Sequence, residues 1–484
     1  MELIIPDSLS DSLREIGKIG GKHVYLVGGS VRDLILKRPN LDIDIVVEGD
    51  AISVAKQLQE RWNGTLQTHP QFGTATVTPE ISTKPKVDFV TARSETYQKP
   101  ATLPKVERGT IAQDLLRRDF TINALAMCLD NDAFGTIIDK TDGLKDLKTG
   151  TIRVIHNNSY TDDPTRIFRA CRYAGRYNFQ ITDSDNERIH KAIPLVSHLS
   201  GERIRNEIEN ILAEEHAPKI VDMLADFGVF EEIAFGWKKP TTFHCDFRTA
   251  RSAISWASNN ISDTDLDHKF ILWFAFMGLD NKQGLPTYII EALSFKLVLK
   301  HQLRRISNLQ KELSDETEIR SGIEDIGISL SKGTFFEFHN GKWCIVDNEN
   351  EKTYVYGDKQ FYHVQTPTTA FRKLQPVIGS LADTTKKSGI YQILEPIPLE
   401  AIVLTFCNTD ISDTQRTKIG DYLHNLRKMK PIINGDDLIE WGEKPSKNFE
   451  RLLKDIFQNQ LDCKIKTKSD GFTHYQQLKN QERD

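Results

Sequence analysis

The chain has 484 residues, with 63 lysines and arginines against 68 aspartates and glutamates, for a formal net charge of −5. That balance excludes a uniformly basic nucleic-acid coat but allows a polarised basic face. Hydrophobic residues at 39% and charged residues at 27% describe an ordinary globular chain of about three domains, not a disordered one.

In chain order, His23 to Val27 forms a short strand stopped by Gly28-Gly29, and Val31 to Leu36 a turn of helix. Leu41 to Val47 alternates Asp with Ile and Val, which predicts a strand carrying Asp42 and Asp44 on one face. Ala51 to Trp62 is an amphipathic helix, and Phe72 to Thr78 and Lys86 to Thr91 are further strands. Residues 1–140 therefore form a mixed α/β head. After about residue 160 the period becomes helical: Ile204, Ile208, Ile211 and Leu212 share one face, as do Phe449, Leu452, Leu453, Ile456 and Phe457. The pattern predicts a helical neck at 141–220, a helical body at 221–330 and a helical tail at 376–484. Residues 331–375 break it, because Asn340-Gly341 between two β-prone runs predicts a hairpin, read as a small β insertion over 333–371. The expected fold class is α+β. The longest apolar run, Phe270 to Leu279, is about half of what a bilayer needs, and no secretory signal is visible at the N-terminus. Six scattered cysteines without a CxxC pair imply neither zinc nor disulfides. A cytoplasmic, membrane-free protein is expected.

The first residues that carry chemistry are Leu26 to Asp33, LVGGSVRD, followed nine residues later by Asp42-Ile43-Asp44. Adjacent glycines let backbone amides approach a phosphate. Gly28, Gly29, Ser30 and Arg32 are thus candidate phosphate contacts, Arg32 as a bidentate fork. Two carboxylates on one strand face repel each other unless a cation lies between them, and oxygen-only ligands suit magnesium. A pair of magnesium ions on Asp42 and Asp44, about 3.5–4 Å apart, would activate an attacking hydroxyl and stabilise a leaving oxygen. Either motif alone is more often a plain turn or a solvated edge strand. Their combination in strand–turn–helix–strand context points to phosphoryl transfer.

These residues, LVGGSVRDLIL and LDIDIVV, resemble the active-site signature of the class II nucleotidyltransferases that build and repair the CCA end of tRNA, close relatives of the bacterial poly(A) polymerases. Val87 to Arg93 resembles the family strand that carries a third carboxylate, here Asp88. Arg117 to Ala124 matches RRDFTxNA, which implies nucleotide contacts from Arg118, Asp119 and Asn123. Asp139, Gly143 and Asp146-Leu147 resemble the hinge between head and neck. Asp162 to Arg169 resembles the nucleotide-selecting motif usually written EDxxR, with Asp162 in place of Glu, and Ser200 to Ile204 resembles the last neck motif. The resemblance spans about residues 24–212 and implies a polymerase-beta-like head, magnesium, CTP and ATP as substrates, tRNA as partner, and no protein partner.

The residue types suit that reading. Asp163 and Arg166, three apart at a helix start, offer an acceptor for the exocyclic amine of cytosine or adenine and a donor for the neighbouring ring atoms. Guanine and uracil present an oxygen where these bases carry the amine. The alternative is a helix-capping carboxylate paired with Arg166. Arg166, Arg169, Arg172 and Arg176 recur along one helical stripe that could meet triphosphate or the tRNA end, although such stripes are often salt-bridged. Lys296, Lys300, His301, Arg304 and Arg305, and then Arg427, Lys428 and Lys430, are basic clusters suited to phosphate contacts. His69 to Thr76 lacks the basic stretch found there in poly(A) polymerases, and no His-Asp dipeptide marks a fused phosphohydrolase. Ser94 to Leu116, 23 residues long, is expected as a full-length flexible loop, which makes CC-only addition the weaker reading. Full CCA addition and A addition are both consistent with these motifs, and a catalytically inactive RNA-binding protein of the same fold is the alternative from another class.

Overall fold

A computed structural model describes residues 5–38, 43–80, 84–96, 104–233, 243–261, 266–277, the strands between 334 and 364, 379–397, 399–408, 411–444 and 447–481. The chain divides into two compact units, Met1–Lys238 and Lys239–Asp484.

The first unit opens with α1 (Asp7–Gly20), β1 (Val24–Val27), α2 (Gly29–Ile35), β2 (Ile43–Val47), α3 (Ala51–Trp62), β3 (Thr65–His69), β4 (Thr74–Thr78) and β5 (Val87–Thr91). An arm follows, made of β6 (Arg93–Thr96) and β7 (Lys105–Arg108), then α4 (Ile111–Leu116), β8 (Leu125–Cys128) and β9 (Ile137–Asp139). Seven strands form one sheet in the order β3-β4-β5-β2-β1-β8-β9. Only β2 and β5 pair in parallel, and their register sets Asp44 beside Asp88. Helix α3 makes the crossover these parallel strands require. Asp50 caps it by accepting from the amides of Ile52 and Ser53, and it ends at Asn63 in a left-handed conformation, φ 48°. Its Val54, Ala55, Leu58 and Trp62 are buried.

The expected strand alternation holds only at the start of β2: Asp44 is half-buried, whereas Val46 and Val47 are both buried. The cause is α4, whose Ile111 and Leu115 join Val46, Ala92 and Ala126 in one apolar cluster. The carboxylate face is therefore open at Asp44 and roofed two residues further on. Ser94 to Leu116, read from sequence as a loop, instead contains the β6–β7 arm and α4, with 97–103 outside the described residues. The strands of the arm are mostly exposed, so no apolar periodicity betrays them.

The neck contributes α5 (Gly143–Thr149), the short strand β10 (Thr151–Ile152), α6 (Ser159–Asp162), α7 (Thr165–Tyr177), β11 (Gln180–Ile181), α8 (Asp183–Ala192), α9 (Gly201–Leu212), α10 (Ala217–Asp226) and α11 (Val229–Ile233). Asp139 starts α5 by accepting from the amides of Gly143 and Leu144 at 3.0 and 2.9 Å. Asp146 accepts from Thr121 Oγ1 at 2.7 Å and Arg153 Nε at 3.0 Å, which ties α5 to the turn carrying Asn123. Ile204, Ile208, Ile211 and Leu212 are buried, as the helical period predicts.

In the second unit, β12 (Thr334–His339), β13 (Lys342–Asp347), β14 (Lys352–Gly357) and β15 (Gln360–Val364) form a four-stranded antiparallel meander. The insertion is thus two strands larger than the predicted hairpin, whose own register pairs His339 with Lys342. The C-terminal helices include Lys387–Leu394, Lys447–Leu461 and Lys468–Gln481. Leu452 and Ile456 join Ile433, Leu438, Ile465 and Tyr475 in a core, with Phe449 and Leu453 packed against it. The basic stripe from Lys296 to Arg305 lies outside the described residues. Among them, no single helix is long and apolar enough to cross a membrane.

A Cβ on Gly143 would run into the backbone carbonyl of Thr121, which cannot yield as a side-chain tip can. Gly143→Ala is expected to cost about 1–3 kcal/mol, measured as a shift of the urea midpoint. An unchanged midpoint would mean that α5 does not hold the Asn123 turn.

Candidate nucleotide site

A cavity of about 420 Å³ opens where the sheet meets α7. Its wall contains Gly29, Arg32, Asp44, Arg118, Asp119, Asn123, Asp163, Arg166 and Arg169, all expected from the sequence, together with Glu95, Arg117 and Tyr173. Gly28, Ser30, Asp88 and Arg172 stand outside the lining, and Asp42 lies outside the described residues.

Each wall residue has a local cause. Gly28 has φ 66°, a backbone conformation that favours glycine, and the tip of Arg118 occupies the space beside its Cα. The Ser30 hydroxyl accepts from the Asp44 amide at 3.1 Å, which fixes α2 against β2. Arg32 does not turn its fork outward to a phosphate as expected. Its Nε and Nη2 donate to Asp33 at 2.9 and 3.0 Å and its Nη1 to Asn123 Oδ1 at 2.5 Å, and only 4% of it is exposed. The neighbouring carboxylate wins because it is covalently next door and buried alongside. Asn123 in turn donates to Asp119 at 3.0 Å, and Asp119 receives Arg169 Nε at 2.7 Å. This relay ties the sheet layer to α7.

Burial alone would raise the Asp119 carboxyl, but the Arg169 guanidinium and the Asn123 amide overturn that and hold it at about 2. Asp119 in turn pushes Arg169 up, against its own burial. Asp114 is likewise depressed: burial opposes ionisation, and Arg118 and Arg117 outweigh it. Burial raises Glu207 despite Arg172 nearby.

The arginine stripe divides. Arg166 and Arg169 face the cavity, whereas Arg172 pairs with Glu207 at 3.5 Å and Arg176 with Glu214. Ten residues of helix carry the stripe away from the cavity, first to Glu207 on α9 and then to Glu214 beyond its end. Asp163 and Arg166 do not form the ion pair that the capping alternative requires. The contacts of Asp163 all go to Oδ1, from the Thr165 amide at 3.0 Å, the Thr165 hydroxyl at 2.6 Å and Arg203 at 2.6 Å. Arg166 donates to Ser159 Oγ at 2.5 Å and the Arg117 carbonyl at 3.1 Å, both uncharged. Among the described residues it is the one wall arginine without a carboxylate ion pair.

Sequence reasoning missed Asp114, Glu95, Tyr173 and Arg203. Asp114 had a signal, since it stands three and four residues before an Arg pair. The others are joined to the site only by folding. Asp88 sits beside Asp44 across the parallel strands, its Oδ1 receiving the Thr76 hydroxyl at 2.5 Å. Two adjacent carboxylates, one of them in the cavity wall, are a donor set that fits a hard divalent cation.

A sheet with paired carboxylates thus meets an arginine-rich cavity and a helical neck, the arrangement expected of a nucleotidyltransferase head. Residues 24–153 match the model described as poly A polymerase head domain, and residues 178–235 the one described as probable RNA and SrmB-binding site of polymerase A. An A-adding tRNA nucleotidyltransferase of Aquifex aeolicus is 35% identical over 61% of this chain. One of Geobacter sulfurreducens is 31% identical over 95% of it. The chain spans 37% and 46% of the lengths of these two relatives. A solved structure of a CCA-adding enzyme, apo form II, superposes with a TM-score of 0.63 at 26% identity, covering 98% of this chain and 96% of that one. The chain is thus similar to A-adding and CCA-adding tRNA nucleotidyltransferases, and its residues 24–153 to a poly A polymerase head domain. A head domain of this kind implies a divalent metal ion, which the Asp44–Asp88 pair fits.

Because Asp119 is held at about 2, below its ordinary value near 4, the stability it contributes is complete above about pH 4 and disappears as pH falls toward 2. Asp119→Asn is expected to flatten that acid limb and to destabilise the protein by about 1.5–3 kcal/mol at pH 7, because the buried carboxylate's charge-assisted hydrogen bond to the partly exposed Arg169 is lost. Chemical denaturation across pH 2–7 checks both outcomes.

Proposed function

We propose that this protein extends the 3′ end of tRNA from nucleoside triphosphates without a nucleic-acid template, and that it adds the terminal A from ATP. The observation that carries the reading is that Asp163 and Arg166, in the wall of an arginine-rich cavity that also holds Asp44, are not bonded to each other: Asp163 is held at Oδ1 by Arg203 and Thr165, and Arg166 by uncharged groups. Asp163, oriented through Oδ1 by Thr165 and Arg203, keeps Oδ2 for the exocyclic amine of adenine. Arg166, with no carboxylate partner, donates to N1 of the same base. Guanine would bring an oxygen to a carboxylate, and uracil would do the same. Arg118 and Arg117 face the polyphosphate, and Asn123 and Asp119 hold the sugar side of the cavity.

The primer's terminal 3′-hydroxyl attacks the α-phosphorus and pyrophosphate leaves. Asp44 and Asp88 would hold magnesium, together with Asp42, which the sequence pattern assigns to the same set; the ion, when bound, lowers the charge on the phosphates and activates the attacking hydroxyl. Thr76 fixes one oxygen of Asp88, which leaves the other for this task. The lower-stem body of the tRNA is assigned to the tail, where Lys428 and Lys430 are exposed. Cytoplasmic location follows from that substrate.

Addition of A alone is favoured over full CCA addition because both curated relatives reported above carry the A-adding name. Full CCA addition is the second reading, supported by the superposed CCA-adding structure. Incubation with tRNAs ending before CCA, after C and after CC, with each of the four nucleotides, separates them. Growth only on the CC end with ATP supports A addition, growth on all three ends overturns it in favour of CCA addition, and long A tracts on unrelated RNA would indicate a poly(A) polymerase.

Two variant outcomes follow. Asp44→Ala is expected to abolish incorporation while tRNA binding by filter retention stays within about twofold; turnover above a few per cent would remove Asp44 from the metal site. Arg166→Ala and Asp163→Ala are each expected to relax base selection roughly 5- to 150-fold, since a bidentate base contact carries about 1–3 kcal/mol. Rate loss with unchanged discrimination would make the couple structural.

A further inference from the structure

Helix α4 is fixed at its start. Thr110 and Gln113 form a capping box, and Glu48 at the end of β2 accepts from the Ile111 amide at 2.5 Å. On this anchored turn Asp114 is fully buried. Its Oδ1 receives Nε and Nη2 of Arg117 at 2.9 and 2.7 Å, and its Oδ2 receives Nε and Nη2 of Arg118 at 3.3 and 2.9 Å. One carboxylate therefore holds the same edge of two guanidinium forks. Both arginines line the cavity and Asp114 does not, so any effect it has on a ligand passes through them.

Two adjacent guanidiniums repel each other, and each has several rotamers in which its charge points to solvent. The carboxylate between them offsets that repulsion and removes that freedom, so both forks are held in one fixed arrangement in the wall. Arg117 Nη1 is held separately by Glu95 at 2.8 Å, and the Arg117 carbonyl receives Arg166. Arg118 has no such second carboxylate: its Nη1 only approaches the Asn123 carbonyl at 3.4 Å.

We propose that Asp114 is a positioning residue that presets Arg117 and Arg118 for the triphosphate and so governs nucleotide affinity, an inference that rests on reading the cavity as a nucleoside triphosphate site. Preorganised donors bind without an ordering cost at the moment of association, whereas freed ones must be gathered each time.

The test uses the full chain. ATP binding is measured by calorimetry without tRNA, and KM is measured separately for ATP and for tRNA ending in CC. Asp114→Asn is expected to raise the ATP Kd and KM roughly 10- to 100-fold, as loss of charge-assisted hydrogen bonds implies, with the tRNA KM and cooperative melting retained. Glu95→Gln frees Arg117 on one side only and is expected to raise the ATP KM less. Wild-type ATP affinity in Asp114→Asn, or ATP and tRNA KM values rising together, overturns the proposal. Should Asp114→Asn not fold, Asp114→Glu decides: it keeps the charge but shifts both forks, so an intermediate ATP KM supports the proposal and a wild-type one overturns it. A wild-type chain that binds ATP but extends no tRNA defeats the functional reading alone, and the calorimetric comparison still decides the role of Asp114.

Discussion

The contact on which the site depends is the ion pair between the buried Asp119 and the partly exposed Arg169. One partner comes from the turn before β8 and the other from α7, so the pair joins the sheet layer to the helical neck. The carboxylate is out of water, and its charge is tolerable there because the guanidinium, itself still partly exposed, is in contact with it. The relay through Asn123 to Arg32 and Asp33 extends this contact to α2, and Tyr177 adds a hydrogen bond from α7 back to Asp33 at 3.1 Å. The aromatic faces of Tyr173 and Tyr177 lie 5.3 and 4.8 Å from the Arg32 guanidinium, which lets it be buried with its charge intact. Without this set of contacts the two walls of the cavity would be separate surfaces.

The same rule governs the other arginines. Arg32 is set by Asp33, Arg117 by Asp114 and Glu95, Arg118 by Asp114 and Arg169 by Asp119. A cavity with five arginines and four acidic residues in its wall is thus less positive than its arginine content suggests. Its chemistry comes from which charges are spent on neighbours. Arg166 is held by a hydroxyl and a carbonyl, and its charge is not cancelled at contact distance. That difference separates an arginine that builds the wall from one suited to read a base. Asp163 shows the complement: its contacts converge on one oxygen, and the second oxygen is directed elsewhere.

Several local elements were legible because they depend on neighbouring residues alone. The Gly28 turn, helix α3 with its Asp50 cap, β5 and the buried faces of α9 and Lys447–Leu461 all follow from period and capping chemistry. The β6–β7 arm, β3 and the two extra strands of the insertion were not legible. The arm is largely solvent-exposed, and its pairing is set by register between strands rather than by an apolar pattern.

For the site, the sequence by itself picked out most of the residues that line the cavity. The glycine turn, the alternating carboxylates, the Arg-Arg-Asp run and the Asp163–Arg166 spacing are all short-range patterns, and most of them converge on one cavity. Only the tertiary structure decided what each charge does. The parallel register of β2 and β5 set Asp88 beside Asp44 across 44 residues of chain, and the packing of α7 gave Arg169 to Asp119 while Glu207 on α9 claimed Arg172 and Glu214 just beyond it claimed Arg176. The reason is that an ionic partner is chosen by distance in space and by desolvation, and neither quantity is encoded in the spacing of residues along the chain.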